Sequence, residues 1–291
     1  MAAERSYSPL AQAARSALAG CEKVPGSRKP DPILVADGVR REFGGIVAVD
    51  VDHIEVQRGS ITALIGPNGA GKTTLFNLLS GFDTPSTGTW SFDGRDMAKV
   101  APHKTAALGM VRTFQLTKSL TKLSVIENMR LGATGQRGEK WWNGLFSSTW
   151  KKQEDEITAR AEGLLDRFKL SHMRDEFAGA LSGGQRKLLE MARALMTNPN
   201  LVMLDEPMAG VNPALKQSLN DHIRGLRDEG MTVLFVEHDM DMVHDVSDWV
   251  IVMAEGRVIA EGTPDDISKN PAVIDAYLGA HQGRSLLEEG A

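Results

Sequence analysis

The sequence predicts an α/β fold with a mainly parallel sheet, an N-terminal antiparallel β-subdomain and an inserted helical subdomain. Three observations carry this. Short apolar runs at Ile61–Ile65, Leu201–Leu204 and Thr232–Val236 are separated by helical sequence, and strands buried on both faces that alternate with helices pack as a parallel sheet. The segment Ile33 to Val56 alternates apolar and polar residues about Gly44-Gly45, as antiparallel strands do. Between Gln115 and Ala180 strand patterns vanish and helical ones dominate, as in Thr158–Phe168.

Along the chain, residues 1–30 are Ala/Ser/Pro-rich and lack a basic start followed by an apolar core, so they do not have the form of a secretion signal. Their composition favours a disordered tail; the alternative is a short helix over Leu10 to Leu18 that docks on a partner. The domain itself is expected over 31–282, with the helical subdomain over about 116–180 inserted in it, and a second tail over 283–291. Ile61–Ile65 is followed by a glycine loop from Gly66 and a helix pattern over Lys72 to Leu79. Asp205-Glu206 closes the second apolar run and Glu237-His238 the third. Ligands of open parallel sheets bind beyond the carboxyl ends of the strands, so three segments converge on one crevice. From Trp249 short strands return, Val250–Met253 and Val258–Ala260, joined at Glu255-Gly256. A last helix follows Asn270-Pro271, where Pro271 suits the first helical position.

The composition sets limits. Over 291 residues the net charge is −5, which provides no basic footprint for a phosphate backbone, so nucleic acid is not an expected partner. Cys21 is the only cysteine, which rules out an intramolecular disulfide and a zinc site built on thiolates. No apolar run approaches the roughly 18 residues of a spanning helix. Work at a membrane would need another chain to cross it.

Gly66-Pro67-Asn68-Gly69-Ala70-Gly71-Lys72-Thr73-Thr74 matches the phosphate-loop pattern at every required position, with a strand before it and a helix after it. Glycines let backbone N–H groups approach phosphates, and a helix start favours anions. Lys72 is expected to reach the β- and γ-phosphates, and Thr73 to bind Mg²⁺. Asp205, at the end of four apolar residues, lies at the sheet edge facing Lys72, where a magnesium shell needs a negative ligand. Its neighbour Glu206 is free to point at an attacking water. A second glycine-rich helix start, Leu181-Ser182-Gly183-Gly184-Gln185, has two readings: a second place that holds a phosphate, or a capped entry to a core helix whose apolar face carries Leu188, Leu189, Ala192, Leu195 and Met196.

Together, and in this order, Gly66–Thr74, Gln115, Leu181–Gln185, Asp205-Glu206 and His238 resemble the ATPase subunits of ATP-binding cassette (ABC) transporters, over the chain from about Ile33 to Gln282. The resemblance implies a RecA-like P-loop NTPase core that binds ATP and Mg²⁺. It also implies that Ser182, Gly183, Gly184 and Gln185 hold the γ-phosphate of ATP bound to another subunit's phosphate loop, so that two chains sandwich two ATP molecules. By the same resemblance Phe43 stacks on adenine, Gln115 senses the metal and the attacking water, Glu206 is the general base and His238 contacts the γ-phosphate. For Phe43 a plain core role is the alternative. The other histidines match no motif. One position departs from the family: Asn212 stands where an aspartate is usual in the loop that bridges the subunits, which keeps hydrogen bonding and drops a charge.

Further strings narrow the resemblance. Val111–Gln115, Val125–Asn128, Val236–Met240 and the tail from Asn270-Pro271 through Ala276–Gly279 look like the ATPases of branched-chain amino-acid importers. The lipopolysaccharide-export ATPase is similar in the tail and in Ala209-Gly210-Val211, but has a shorter connection where this chain runs from Gly132 to Glu156 and carries Trp141-Trp142. Those rings either pack onto the helical lobe or form an apolar surface toward a permease. The implied setting is the cytoplasmic face of the inner membrane. There the chain would join transmembrane permease subunits, a second ATPase subunit (a copy or a paralogue) and, indirectly, a solute-binding protein for amino acids or small polar solutes such as urea. A soluble ABC ATPase outside transport is the remaining alternative.

Overall fold

The structure, a computed structural model, describes residues 8–97, 100–113, 120–133 and 147–278. After helix α1 (Pro9–Ala19), strands β1 (Pro32–Phe43) and β2 (Ile46–Gln57) form the expected hairpin. Its turn holds Gly44 at φ 55° and Gly45 at φ 88°, a left-handed backbone that a residue without Cβ adopts freely. Strand β3 (Ile61–Ile65) then opens a second sheet. The chain next returns through α2 (Lys72–Leu79) to β4 (Thr87–Phe92) and β5 (Arg95–Asp96), which complete a four-stranded antiparallel sheet ordered β2-β1-β4-β5.

The second sheet has the order β10-β9-β3-β8-β7-β6. A short helix α3 (Pro102–Thr105) leads into β6 (Met110–Arg112); β7 (Leu201–Asp205), β8 (Thr232–Val236) and β9 (Trp249–Ala254) follow, all parallel within this sheet. Only β10 (Arg257–Gly262) runs antiparallel, paired with β9 through the Glu255-Gly256 turn. Every residue of β3 and β8 is buried, and the two-residue alternation divides them between layers. Ile61, Ala63 and Ile65 pack on one side with the helical lobe, whereas Leu64 packs on the other with α2 and the antiparallel sheet. Periodicity did not reveal β6, because three residues are too few to show a period.

Between β6 and β7 lie α4 (Val125–Leu131), α5 (Ser147–Arg167) and α6 (Gly183–Ala194). Helix α7 (Pro213–Asp228) joins β7 to β8, α8 (Met240–Val246) joins β8 to β9, and α9 (Pro264–Ser268) precedes a helical stretch over 271–278. Trp141, Trp142 and the tail over 283–291 lie outside the described residues.

The N-terminal region departs from its expected disorder. Ser8 caps α1 by accepting from the Ala11 N–H at 3.1 Å, and Ala11, Ala14 and Leu18 are buried against the chain's own body, where α1 meets α7. A helix therefore forms where the alternative reading placed one, but it docks on its own domain rather than on a partner. Charges missed by a compositional reading explain this. Arg15 pairs at 3.0 Å with Asp248, which also accepts from Arg227 at 2.8 Å and from the Ile61 N–H at 2.9 Å. Lys29 pairs with Glu261 of β10 at 3.0 Å with both side chains fully buried. Segment 8–31 is thus a strap across the sheet's entry end.

Candidate functional site

The phosphate loop leaves β3 and ends at the first turn of α2. Gly66, Gly69 and Gly71 have φ of 150°, 82° and 93°. A Cβ on Gly66 would lie 2.1 Å from the Met253 carbonyl oxygen, and one on Gly71 2.4 Å from that of Ala48, so the loop closes only around glycine. No side chain caps α2, which leaves its first N–H groups for an anion. The Lys72 ammonium donates to the carbonyls of Gly66 at 2.8 Å and Pro67 at 2.9 Å. Burial pushes its pKa down, and the Glu206 carboxylate opposes this.

Facing the loop is a cavity of about 520 Å³ lined by Asn68 to Thr74, Glu206 and His238, and also by Ile46, Val47, Ala48, Glu255 and Gly256. Sequence reasoning missed this last group. The rule that placed Asp205 at a carboxyl strand end applies equally to Glu255 after β9, and the Gly44-Gly45 turn delivers Ile46 to Ala48.

Glu206 holds a left-handed backbone, φ 45°, that non-glycine residues rarely keep without purpose. Its N–H donates to the Val236 carbonyl at 3.0 Å, and its own carbonyl accepts from Lys187 of α6 at 3.3 Å. These bonds hold the backbone, and the side chain's Oε1 lies 3.1 Å from His238 Nε2. Asp205 points elsewhere. Its Oδ2 accepts from Arg112 at 2.6 Å, and Arg112 also reaches Asn77 at 2.6 Å and Ser80 at 2.9 Å. Behind it, burial pushes the Glu190 carboxyl up to about 7 against the pull of Lys187 and Arg193.

The structure therefore brings together Asn68, Gly69, Ala70, Gly71, Lys72, Thr73, Thr74, Glu206 and His238, with Gly66 and Pro67 bonded to Lys72. Phe43 is half exposed, with the Arg41 guanidinium 4.6 Å over its ring, and is not among the residues lining the cavity. Gln115 lies outside the described residues. None of Ser182 to Gln185 lines this cavity. Ser182 caps α6, its hydroxyl accepting from the Gln185 N–H at 3.3 Å while Gln185 Oε1 accepts from the Ser182 N–H at 2.9 Å. Ser182 and Gly183 are exposed, whereas Gly184 is buried under Leu215 of α7.

The cradle fits a nucleotide's phosphates: uncapped helix N–H groups, a buried ammonium and glycines where a Cβ would collide. Among the described residues no three His, Cys, Asp or Glu side chains converge on a metal.

Residues 49–209 match the ABC transporter family model. The chain belongs to the ABC transporter family. Within it the chain is an ATP-binding cassette, and the family's activity is ATP hydrolysis coupled to transport. Residues 257–282 match a second family, described as branched-chain amino acid ATP-binding cassette transporter. A probable branched-chain amino acid transport ATP-binding protein, LivG, from Archaeoglobus fulgidus is 44% identical over 85% of this chain and 96% of its own. The high-affinity counterpart BraF from Pseudomonas aeruginosa is 40% identical over 85% and 98%. An ATP-binding cassette solved in its ADP conformation superposes with a TM-score of 0.75, at 39% identity, over 85% of this chain and 99% of that one. A nucleotide-free cassette gives 0.75 at 38% identity over 84% and 98%. No described helix of this cassette is long and apolar enough to cross a membrane; in the family, membrane permease subunits supply the crossing.

Proposed function

We propose that this cassette energises uptake of branched-chain amino acids, on the cytoplasmic face of the inner membrane, through a separate permease served by a solute-binding protein. Supporting the cargo is the match of residues 257–282 to the branched-chain family, together with the names of the relatives; this favours import over lipopolysaccharide export.

The observation that carries the chemistry is the Glu206–His238 pair, 3.1 Å apart across the cavity from Lys72. ATP lies with its phosphates on Gly66 to Thr74, and its adenine meets Phe43 at the hairpin tip. Lys72 exchanges two neutral carbonyls for β- and γ-phosphate oxygens, a gain because charge-assisted hydrogen bonds are the stronger ones. Mg²⁺, when bound, would be held by Thr73 and Gln115, with Asp205 joining them once its Oδ2 leaves Arg112, and would supply Lewis-acid neutralisation of phosphate charge. Glu206 takes the proton from water attacking the γ-phosphate, and His238 keeps that carboxylate aimed while bonding the same phosphate. Ser182, Gly183, Gly184 and Gln185, apart from the chain's own cavity, close over ATP held by a second ATPase subunit. The exposure of Ser182 and Gly183 at the start of α6 supports this, although their capping box also serves the helix itself.

The test is hydrolysis by this chain reconstituted with its permease in proteoliposomes. Binding protein loaded with leucine, isoleucine or valine should raise turnover severalfold. Stimulation by urea-loaded or amide-loaded protein alone would overturn the cargo and leave the ATPase standing.

A further inference from the structure

We propose that Glu237 is a positioning residue that clasps the loop carrying Glu206 to the loop carrying His238, so that the two groups handling the attacking water move as one unit. The proposal rests on the hydrolytic reading above.

Glu237 follows β8 directly and is 4% exposed. Its two carboxylate oxygens serve different loops. Oε1 accepts from the Met208 N–H at 2.7 Å, two residues beyond Glu206. Oε2 accepts from the N–H groups of His238 at 2.9 Å and Asp239 at 3.3 Å. A buried carboxylate is tolerated only where donors replace its water, and here all three donors are main-chain groups of the catalytic loops. A residue that merely filled the core would need neither oxygen to reach across.

A second clasp runs parallel to the first. Lys216 of α7 meets Asp239, the N-cap of α8, at 2.5 Å, and that bond holds the Asp239 carboxyl below the usual carboxylate range. Helix α7 is in turn bound to the loop 206–212, since Asn212 Oδ1 accepts from the Leu215 N–H at 2.9 Å. The same loop passes close to the exposed tip of α6: a Cβ on Gly183 would lie 3.4 Å from the Gly210 carbonyl oxygen, and Gly184 sits under Leu215. Closure of a partner's nucleotide on Ser182 and Gly183 therefore presses on a loop that Glu237 ties to His238.

The chemistry demands glutamate at this position. Glutamine offers one acceptor oxygen and turns an NH₂ toward an N–H donor, so it can hold one loop but not both. Aspartate is a methylene too short to span them.

Glu237→Gln in the full chain, assembled with the membrane subunits that co-purify with it, is the test. We expect kcat to fall between about tenfold and a hundredfold, as displacement of catalytic groups by an ångström does, with KM for ATP within about threefold of the parent. A kcat within twofold of the parent overturns the proposal. So does a loss in kcat matched by an equal rise in KM and a fall in melting temperature, the mark of general destabilisation. Should Glu237→Gln not fold, Lys216→Met decides, since it cuts the outer clasp on the half-exposed side. It should lower kcat about threefold at constant KM, and an unchanged rate overturns the coupling. Glu206→Gln run in parallel separates the two readings. Turnover that survives it condemns the hydrolytic reading itself, whereas its loss beside a normal Glu237→Gln rate condemns only the clasp.

Discussion

Replacing Lys29 with methionine removes one partner of a fully buried pair and leaves Glu261 charged in the interior. Glu261 Oε2 would retain the Trp249 indole N–H at 3.0 Å and Oε1 the Gly26 N–H at 2.9 Å, but lose the Lys29 ammonium paired with it. The lysine also lies 4.5 Å over the Trp249 ring, a contact methionine keeps only in part. Breaking one side of such a pair costs about 3–5 kcal/mol. At about 2–4 °C per kcal/mol for a domain of this size, the melting temperature should fall on the order of 10 °C. Burial already pushes the Glu261 carboxyl up. Its folded pKa therefore stands above the unfolded value of 4.5, and stability is lost as pH rises from 4.5 through the folded value. The Lys29→Met penalty should accordingly be larger at pH 8 than at pH 5.5, and adding Glu261→Gln should recover at least half of it. Scanning calorimetry without nucleotide is the assay. A melting temperature within about 2 °C of the parent at pH 8 would refute the idea that segment 8–31 belongs to the fold.

Ser182→Arg places a bulky cation at the exposed tip of α6, so turnover should fall at least a hundredfold while a single chain still binds ATP; equal loss of binding in a fluorescent-nucleotide titration would dismiss the shared site. Glu190→Gln removes a carboxyl that titrates near 7 when folded and near 4.5 when unfolded, so the parent loses stability between those pH values and carries the full cost above them. The variant should be more stable than the parent by up to about 3 kcal/mol at pH 8 and no more stable at pH 4.5, which urea unfolding at the two pH values checks.

What the sequence disclosed follows from range. The β1–β2 hairpin, the buried runs of β3, β7 and β8 and the loop at Gly66 are written in neighbouring residues, and each is found where it was expected. The N-terminal strap was not legible, because Lys29 meets Glu261 and Arg15 meets Asp248 across most of the chain. Alanine-rich composition looks the same whether the face is buried or bare. The site divides similarly. Motif spacing singled out Lys72, Glu206 and His238, which line one cavity, but not that Arg112 occupies the Asp205 carboxylate, nor that Ile46 to Ala48 and Glu255 line that cavity too. Asn212, a departure from the family's usual aspartate, has a local use as the N-cap of α7, where asparagine serves as well as aspartate. Glu237 drew notice only as part of a string, since the pattern of its neighbours cannot show that its two oxygens face different loops.

The central claim is that Glu206, aimed by His238, removes the proton from the attacking water. Single-turnover hydrolysis of ATP by Glu206→Gln, assembled with its membrane subunits, tests it most directly. The account predicts a chemical step slowed by about a hundredfold to ten-thousandfold, with ATP bound at parental affinity and the ATPase pair held closed by unhydrolysed nucleotide. A chemical step at the parental rate would contradict it.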